Sequence, residues 1–217
     1  MISKVPEDKM VIIPNGVDTN LFHEGGNRDT IRKACGLGDS FTIGYVGVLR
    51  EWVDFQPLFM AVQSLKKKLD LKILIVGSGP ERENLNKLTV NLGIDDMVIF
   101  TGNVPYNQVP DYISAMDVCT IPFKTDRVAK DSLPLKLFEY MACGKPVISS
   151  KIDVILEEMS HIVCCCETPE EYEEIIMKYY HNKNLLDTCG KAGQKYVSEN
   201  YTWNSISNLL ESVLKEV

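Results

Sequence analysis

A chain of 217 residues, 45% apolar and 24% charged, is long enough to bury one sizeable core, and it reads as a single domain. No stretch approaches the roughly 18 to 20 apolar residues of a membrane span, and the first residues lack the charged, apolar and small-residue succession of a secretory signal. The formal net charge of −7 argues against a surface built for phosphate backbones, so nucleic acid is not expected as a partner.

Residues 23–40, "HEGGNRDTIRKACGLGDS", read as a loop with a short helix. From residue 41 onward, β-branched runs alternate with amphipathic stretches. "FTIGYVG" (41–47) precedes a helix over 54–69, in which Leu58, Phe59, Ala61, Val62 and Leu65 recur at helical spacing. "LKILIVGSG" (71–79) precedes a helical stretch over 80–93, "MVIFTG" (97–102) precedes "NQVPDYISA", and "DVCTIPF" (117–123) precedes the stretch "DSLPLKLFEYMACG" (131–144), after which "KPVIS" follows. Continuously apolar strands are those buried on both faces. Strict alternation with helices predicts an α/β fold, a Rossmann-like doubly wound parallel sheet with right-handed crossovers. Ligands of such sheets sit at the carboxyl ends of the strands, which directs attention to the loops after 47, 77, 101, 121 and 150. Beyond these, Thr168, Pro169 and Glu171 predict a capping box. Further helices follow to about 199 and over 203–217, the last placing Ile206, Leu209, Leu210, Val213, Leu214 and Val217 on one face.

Within "DSLPLKLFEYMACGKPVISS" (131–150), Pro134 suits the first turn of a helix and Gly144-Lys145-Pro146 stops it, giving a helix over about 134–143. The N–H groups near Leu135 and Lys136 then lack intrahelical acceptors, and the helix dipole favours an anion there. Lys136 adds a positive charge, and the Ser132 hydroxyl is placed to donate from the preceding loop. Glu139 falls about 7.5 Å further along the axis, its side chain leaning back toward the helix start, where a carboxylate can accept from ribose hydroxyls. The competing reading makes Lys136 and Glu139 an i,i+3 surface pair.

The stretch resembles the signature helix of GT-B glycosyltransferases, in particular the large, mostly retaining group that uses nucleotide-sugar donors: an acidic residue, seven residues, a Glu and an "EAMACGKPV"-like end. Asp131 and Glu139 occupy the two acidic positions. The resemblance extends to "VIIPNGVDTNLF" (11–22), similar to the link between the two halves of such enzymes, to "ILIVGSGPERENL" (73–85), to residues 97–123 and to a closing helix in "YTWNSISNLLESVL" (201–214). It implies the C-terminal, donor-binding half of that fold: a link over 1–22, a Rossmann-like domain over 23–200, a closing helix over 201–217, and an N-terminal acceptor-binding domain that this chain lacks. By the same resemblance Glu139 binds the donor ribose, backbone near Leu133, Pro134 and Leu135 binds the diphosphate, and Asp131 faces the transferred sugar. Gly102 and Val104 meet the nucleobase, and Gly47 and Gly77 complete the donor loops.

The sequence also departs from that pattern. Where the group carries an Arg and a Lys that grip the phosphates, this chain has Val48 and Val53, and Lys136 and Arg50 are the candidates to replace them. The partner expected is therefore a nucleoside diphosphate sugar, with no cofactor and no dedicated metal site, and with membrane contact only through the missing half. The function implied is sugar transfer to a glycan or lipid-linked acceptor in polysaccharide or glycoconjugate synthesis, with the isolated domain inactive. A stand-alone nucleotide-binding or regulatory module working with a separate acceptor-binding subunit is the alternative. The incomplete Gly-x-Gly of "VGSG" (76–79), with Arg82 at the third glycine position, favours tight-turn glycines over a dinucleotide fingerprint. Seven cysteines without a CxxC pair read as free thiols of a reducing cytoplasm. Cys164, Cys165 and Cys166 are consecutive and so point to opposite faces of a strand, which does not suit one shared metal.

Overall fold

The computed structural model describes residues 10–124 and 133–216. Six strands form one sheet: β1 (Phe41–Val46), β2 (Leu71–Val76), β3 (Val98–Gly102), β4 (Val118–Ile121), β5 (Val147–Ser149) and β6 (Cys164–Cys165). All pairings are parallel, in the order β3-β2-β1-β4-β5-β6. The helices are α1 (Arg28–Ala34), α2 (Gln56–Leu65), α3 (Arg82–Leu92), α4 (Val109–Ala115), α5 (Leu135–Ala142), α6 (Asp153–Met159), α7 (Pro169–His181), α8 (Lys183–Asn200) and α9 (Trp203–Glu216). The doubly wound α/β reading holds.

Two cores flank the sheet. Ile43, Tyr45, Ile73 and Ile75 face a layer that includes Phe59 of α2, Leu85 of α3 and Tyr172 and Ile176 of α7. Leu74, Val76, Cys119 and Ile121 face Ile113 of α4, Leu137, Phe138 and Met141 of α5, Ile155 of α6, Val197 of α8 and Ile206 of α9. Because β1 and β4 are neighbours whose connections leave toward opposite layers, a crevice opens at their carboxyl ends, the place where doubly wound sheets bind ligands. The two strands pair only at Ile43 with Val118 and Gly44 with Cys119. Beyond Gly44 they part, and the hydroxyl of buried Tyr140 takes over as partner for Val46. The Val46 N–H donates to Tyr140 Oη at 2.7 Å, and that hydroxyl donates to the Val46 carbonyl at 3.3 Å.

At the opposite pole, the buried Arg32 guanidinium ties α1 to the sheet. Its Nη1 donates to the Ala115 carbonyl at 2.7 Å and its Nε to the Gly38 carbonyl at 2.9 Å. Arg28 reaches the Ser114 carbonyl and Asp117, both at 2.7 Å. These cations satisfy carbonyls at the end of α4, where the helix dipole favours positive charge.

The capping box at Thr168 and Glu171 is formed as its sequence predicts. The α9 face is less enclosed than its periodicity suggests. Ile206 is buried, whereas Leu209, Leu210 and Leu214 remain exposed, and Val217 lies outside the described residues. Among the described residues, no helix is long and apolar enough to cross a membrane.

Candidate donor site

Helix α5 begins at Leu135, one residue later than expected, with Pro134 as its extended N-cap residue (φ −67°, ψ 132°) rather than its first helical residue. The Leu137 N–H donates to the Pro134 carbonyl at 2.9 Å, leaving Leu135 and Lys136 as the first-turn N–H groups without intrahelical acceptors. At the other end, the Lys145 N–H bonds the Tyr140 carbonyl and the Gly144 N–H the Met141 carbonyl, the crossed pair that closes a helix at a left-handed glycine. The helix is thus defined by Pro and Gly punctuation, as read. Its first turn lies at the end of β1, where Lys136 reaches Tyr45 and Gly47.

Lys136 is the cation at this opening. Its Nζ donates to Tyr45 Oη at 2.9 Å, lies 4.1 Å from the Tyr45 ring centroid and 5.3 Å from that of Phe123. The aromatic faces offer their negative quadrupoles to the ammonium. Burial lowers the Lys136 pKa to about 8, against the opposing pull of Glu139. The ammonium lies against the backbone at the end of β1: a Cβ on Gly47 (φ 148°) would stand 2.3 Å from it. Glycine at 47 is what admits the lysine.

Glu139 is 6% exposed, which rules out a solvated surface pair. Its Oε1 accepts from Tyr106 Oη at 2.8 Å. Burial raises its pKa, while the Tyr106 hydrogen bond and the charge of Lys136 lower it. A carboxylate kept in this setting has a strong reason to accept hydrogen bonds from a ligand.

The glycine loops stack beside this helix. Gly77 (φ 127°) donates its N–H to the Gly102 carbonyl at 2.8 Å, and a Cβ on Gly77 would lie 2.1 Å from the Gly47 carbonyl oxygen. This is the tight-turn role expected for "VGSG", and it brings Gly47, Gly77 and Gly102 into one layer at the strand ends. Val104 is partly buried against the core on the α5 side, two residues before Tyr106. The loop after β1 is fastened to the segment after β4 by Asp54 N–H to the Pro122 carbonyl (2.7 Å) and Lys124 N–H to the Trp52 carbonyl (2.8 Å).

The residues expected at the site fall into groups in the fold. Lys136 meets Gly47, and Glu139 meets the loop that follows Gly102 and Val104. Leu133, Pro134 and Leu135 form the entry to α5. Arg50 is exposed on the rim, its guanidinium 5.7 Å from the Trp52 ring centroid. Of the two positions where cations are replaced, Val48 is exposed and Val53 is buried, paired with Phe123. Asp131 and Ser132 lie outside the described residues. Tyr45, Tyr106 and Phe123 were not foreseen as site residues. An aromatic in or beside a strand ordinarily signals core, and nothing local shows that its ring or hydroxyl meets a residue 13 to 91 positions away.

The cysteines are free, and burial raises the thiol pKa values of Cys164, Cys165 and Cys166. Protonated thiols are poor ligands and nucleophiles.

The family profile "Glycosyl transferases group 1" matches residues 27–196. A GDP-mannose-dependent alpha-(1-6)-phosphatidylinositol monomannoside mannosyltransferase of Mycobacterium tuberculosis is 26% identical over 97% of this chain, which spans 57% of that relative's length. The fold is shared with the C-terminal domain of the group 1 glycosyl transferase LpcC of Francisella tularensis (TM-score 0.71, 22% identity, covering 87% of this chain and 100% of that one). It is also shared with Anabaena Alr3699/HepE, whose structure is in complex with UDP (TM-score 0.82, 21% identity, 94% of this chain and 57% of that one). The chain spans about half to three-fifths of the full-length relatives' extent. On the match of its family profile across most of the chain, the protein belongs to the group 1 glycosyl transferases.

Proposed function

We propose that this chain is the donor-binding half of a glycosyltransferase and seats a nucleoside diphosphate sugar at the β1/β4 crevice. The diphosphate lies at the start of α5, where first-turn N–H groups and Lys136 meet its charge. The ribose lies one turn further on, at Glu139, and the base beside Gly102 and Val104. The observation that carries this reading is Glu139 itself: a buried carboxylate about one turn inside a helix whose cationic N-terminus opens at the switch point.

The chemistry follows from the charge that develops when the glycosidic bond to the diphosphate breaks. The leaving group gains negative charge, and donors already aimed at it stabilise that charge without reorganising. Lys136 is held for this by Tyr45 and Phe123 before any ligand arrives. Asp131 is assigned to the transferred sugar and Ser132 to the phosphate loop. The acceptor, a glycan or a lipid-linked sugar, is bound by a further domain, in keeping with the longer relatives. The chain alone then binds donor and does not transfer sugar, and it works on the cytoplasmic side of cell-surface polysaccharide or glycoconjugate synthesis.

Calorimetric titration with UDP, GDP, ADP and NAD tests the site. At least one nucleoside diphosphate binds, and Glu139→Ala weakens it by about 10- to 100-fold, the value of one charge-assisted hydrogen bond or slightly more. Failure of every nucleoside diphosphate to bind, or full affinity in the variant, refutes the assignment.

A further inference from the structure

The hydroxyl of Tyr106 has no assigned role in the reading above, yet it sits on that reading's most informative side chain. Tyr106 opens the 3-10 turn Tyr106–Gln108, directly after the Gly102–Pro105 loop. It is 58% exposed, an unusual degree for a residue bonded to a carboxylate that is 6% exposed. The ring is steadied from behind by buried Phe22, edge to face at 5.5 Å and 61°. The residue therefore has a fixed back, an exposed front and a hydroxyl bonded to the buried Glu139 carboxylate.

A phenol carries one O–H donor and acceptor lone pairs, and here the donor is spent on Glu139 Oε1 at 2.8 Å. That bond leaves its acceptor lone pairs unused on a residue that is largely exposed, beside the remaining acceptor sites of the carboxylate. Two acceptors side by side are the complement of two donors side by side, which is what the cis-diol of a ribose presents. Burial, the Glu139 hydrogen bond and nearby negative charge all push the phenol's pKa up, so it stays protonated and keeps this polarity.

We infer that Tyr106 is a specificity-determining residue that accepts one ribose hydroxyl while Glu139 accepts the other, so that the pair selects ribonucleotide over deoxyribonucleotide donors. The inference rests on the assignment of Glu139 to the ribose. Tyr106 also orients the carboxylate, because its bond to Oε1 limits rotation of the Glu139 head group.

The test uses the whole chain and whichever of UDP, GDP or ADP binds it, with the 2′-deoxy and 3′-deoxy forms of the same nucleotide. Tyr106→Phe keeps the ring against Phe22 and removes only the hydroxyl. The expected result is a three- to tenfold loss of affinity for the ribonucleotide, the range of one neutral hydrogen bond. Discrimination against one of the two deoxy forms should fall by the same factor, with discrimination against the other retained, as in a double-mutant cycle between residue and ligand hydroxyl. Equal weakening of all three nucleotides would assign Tyr106 a purely structural role and overturn the inference, as would wild-type affinities throughout. Wild-type affinity in Glu139→Gln, or no binding by the wild-type chain, would instead remove the ribose assignment beneath it.

Discussion

The affinity of the chain for a nucleoside diphosphate should fall as pH rises above 8, and Lys136 should be the cause. With its pKa near 8, the lysine is about nine-tenths protonated at pH 7, half at pH 8 and one-tenth at pH 9. A bound diphosphate stabilises the ammonium and raises that pKa, so the complex holds more protons than the free chain. Affinity is then nearly complete at pH 7 and is lost as the pH rises through 8, by about fivefold between pH 8 and 9 and about tenfold between pH 7 and 9. The ligand's phosphates do not contribute, since their second ionisation lies near pH 6. Tyr45, Tyr106 and Tyr140 around the site are all pushed above the ordinary tyrosine value by burial and stay silent in this window. Calorimetry in two buffers of different ionisation enthalpy measures the linkage directly: about half a proton is taken up per ligand at pH 8. Lys136→Met should weaken binding at pH 7 and flatten the profile. Absence of proton uptake at pH 8, or an unchanged slope in the variant, would refute the placement of the diphosphate beside Lys136.

Gly77→Ala should cost at least about 1 to 3 kcal/mol from its backbone conformation alone, with the new methyl group directed at the Gly47 carbonyl, and a urea midpoint equal to wild type would count against it. Arg32→Met should lose about 3 kcal/mol of stability, since it strips a buried cation from carbonyls at the opposite pole, while nucleotide affinity by calorimetry stays at its wild-type value. A fall in affinity without a fall in stability would contradict that separation.

The alternation of apolar runs and amphipathic stretches, together with Pro134 and Gly144, determined the α/β class and the bounds of α5, because these depend on neighbours within a few residues along the chain. The same locality made Thr168 and Glu171 readable as a cap and Gly77 as a turn. Composition and spacing alone favour a surface residue at Glu139, and only resemblance to a family draws it out. Its burial is a tertiary fact: β1 and β4 part beyond Gly44, Tyr140 fills the gap beneath, and α5 is pressed into the opening. Tyr106 and Tyr45 belong to the site for the same reason. Their hydroxyls find Glu139 and Lys136 from 33 and 91 residues away in sequence, across separate loops and strands. A periodic pattern records which side of its own element a residue faces, whereas the partner of a polar atom is chosen by where the chain returns. That return is decided by the order of the strands.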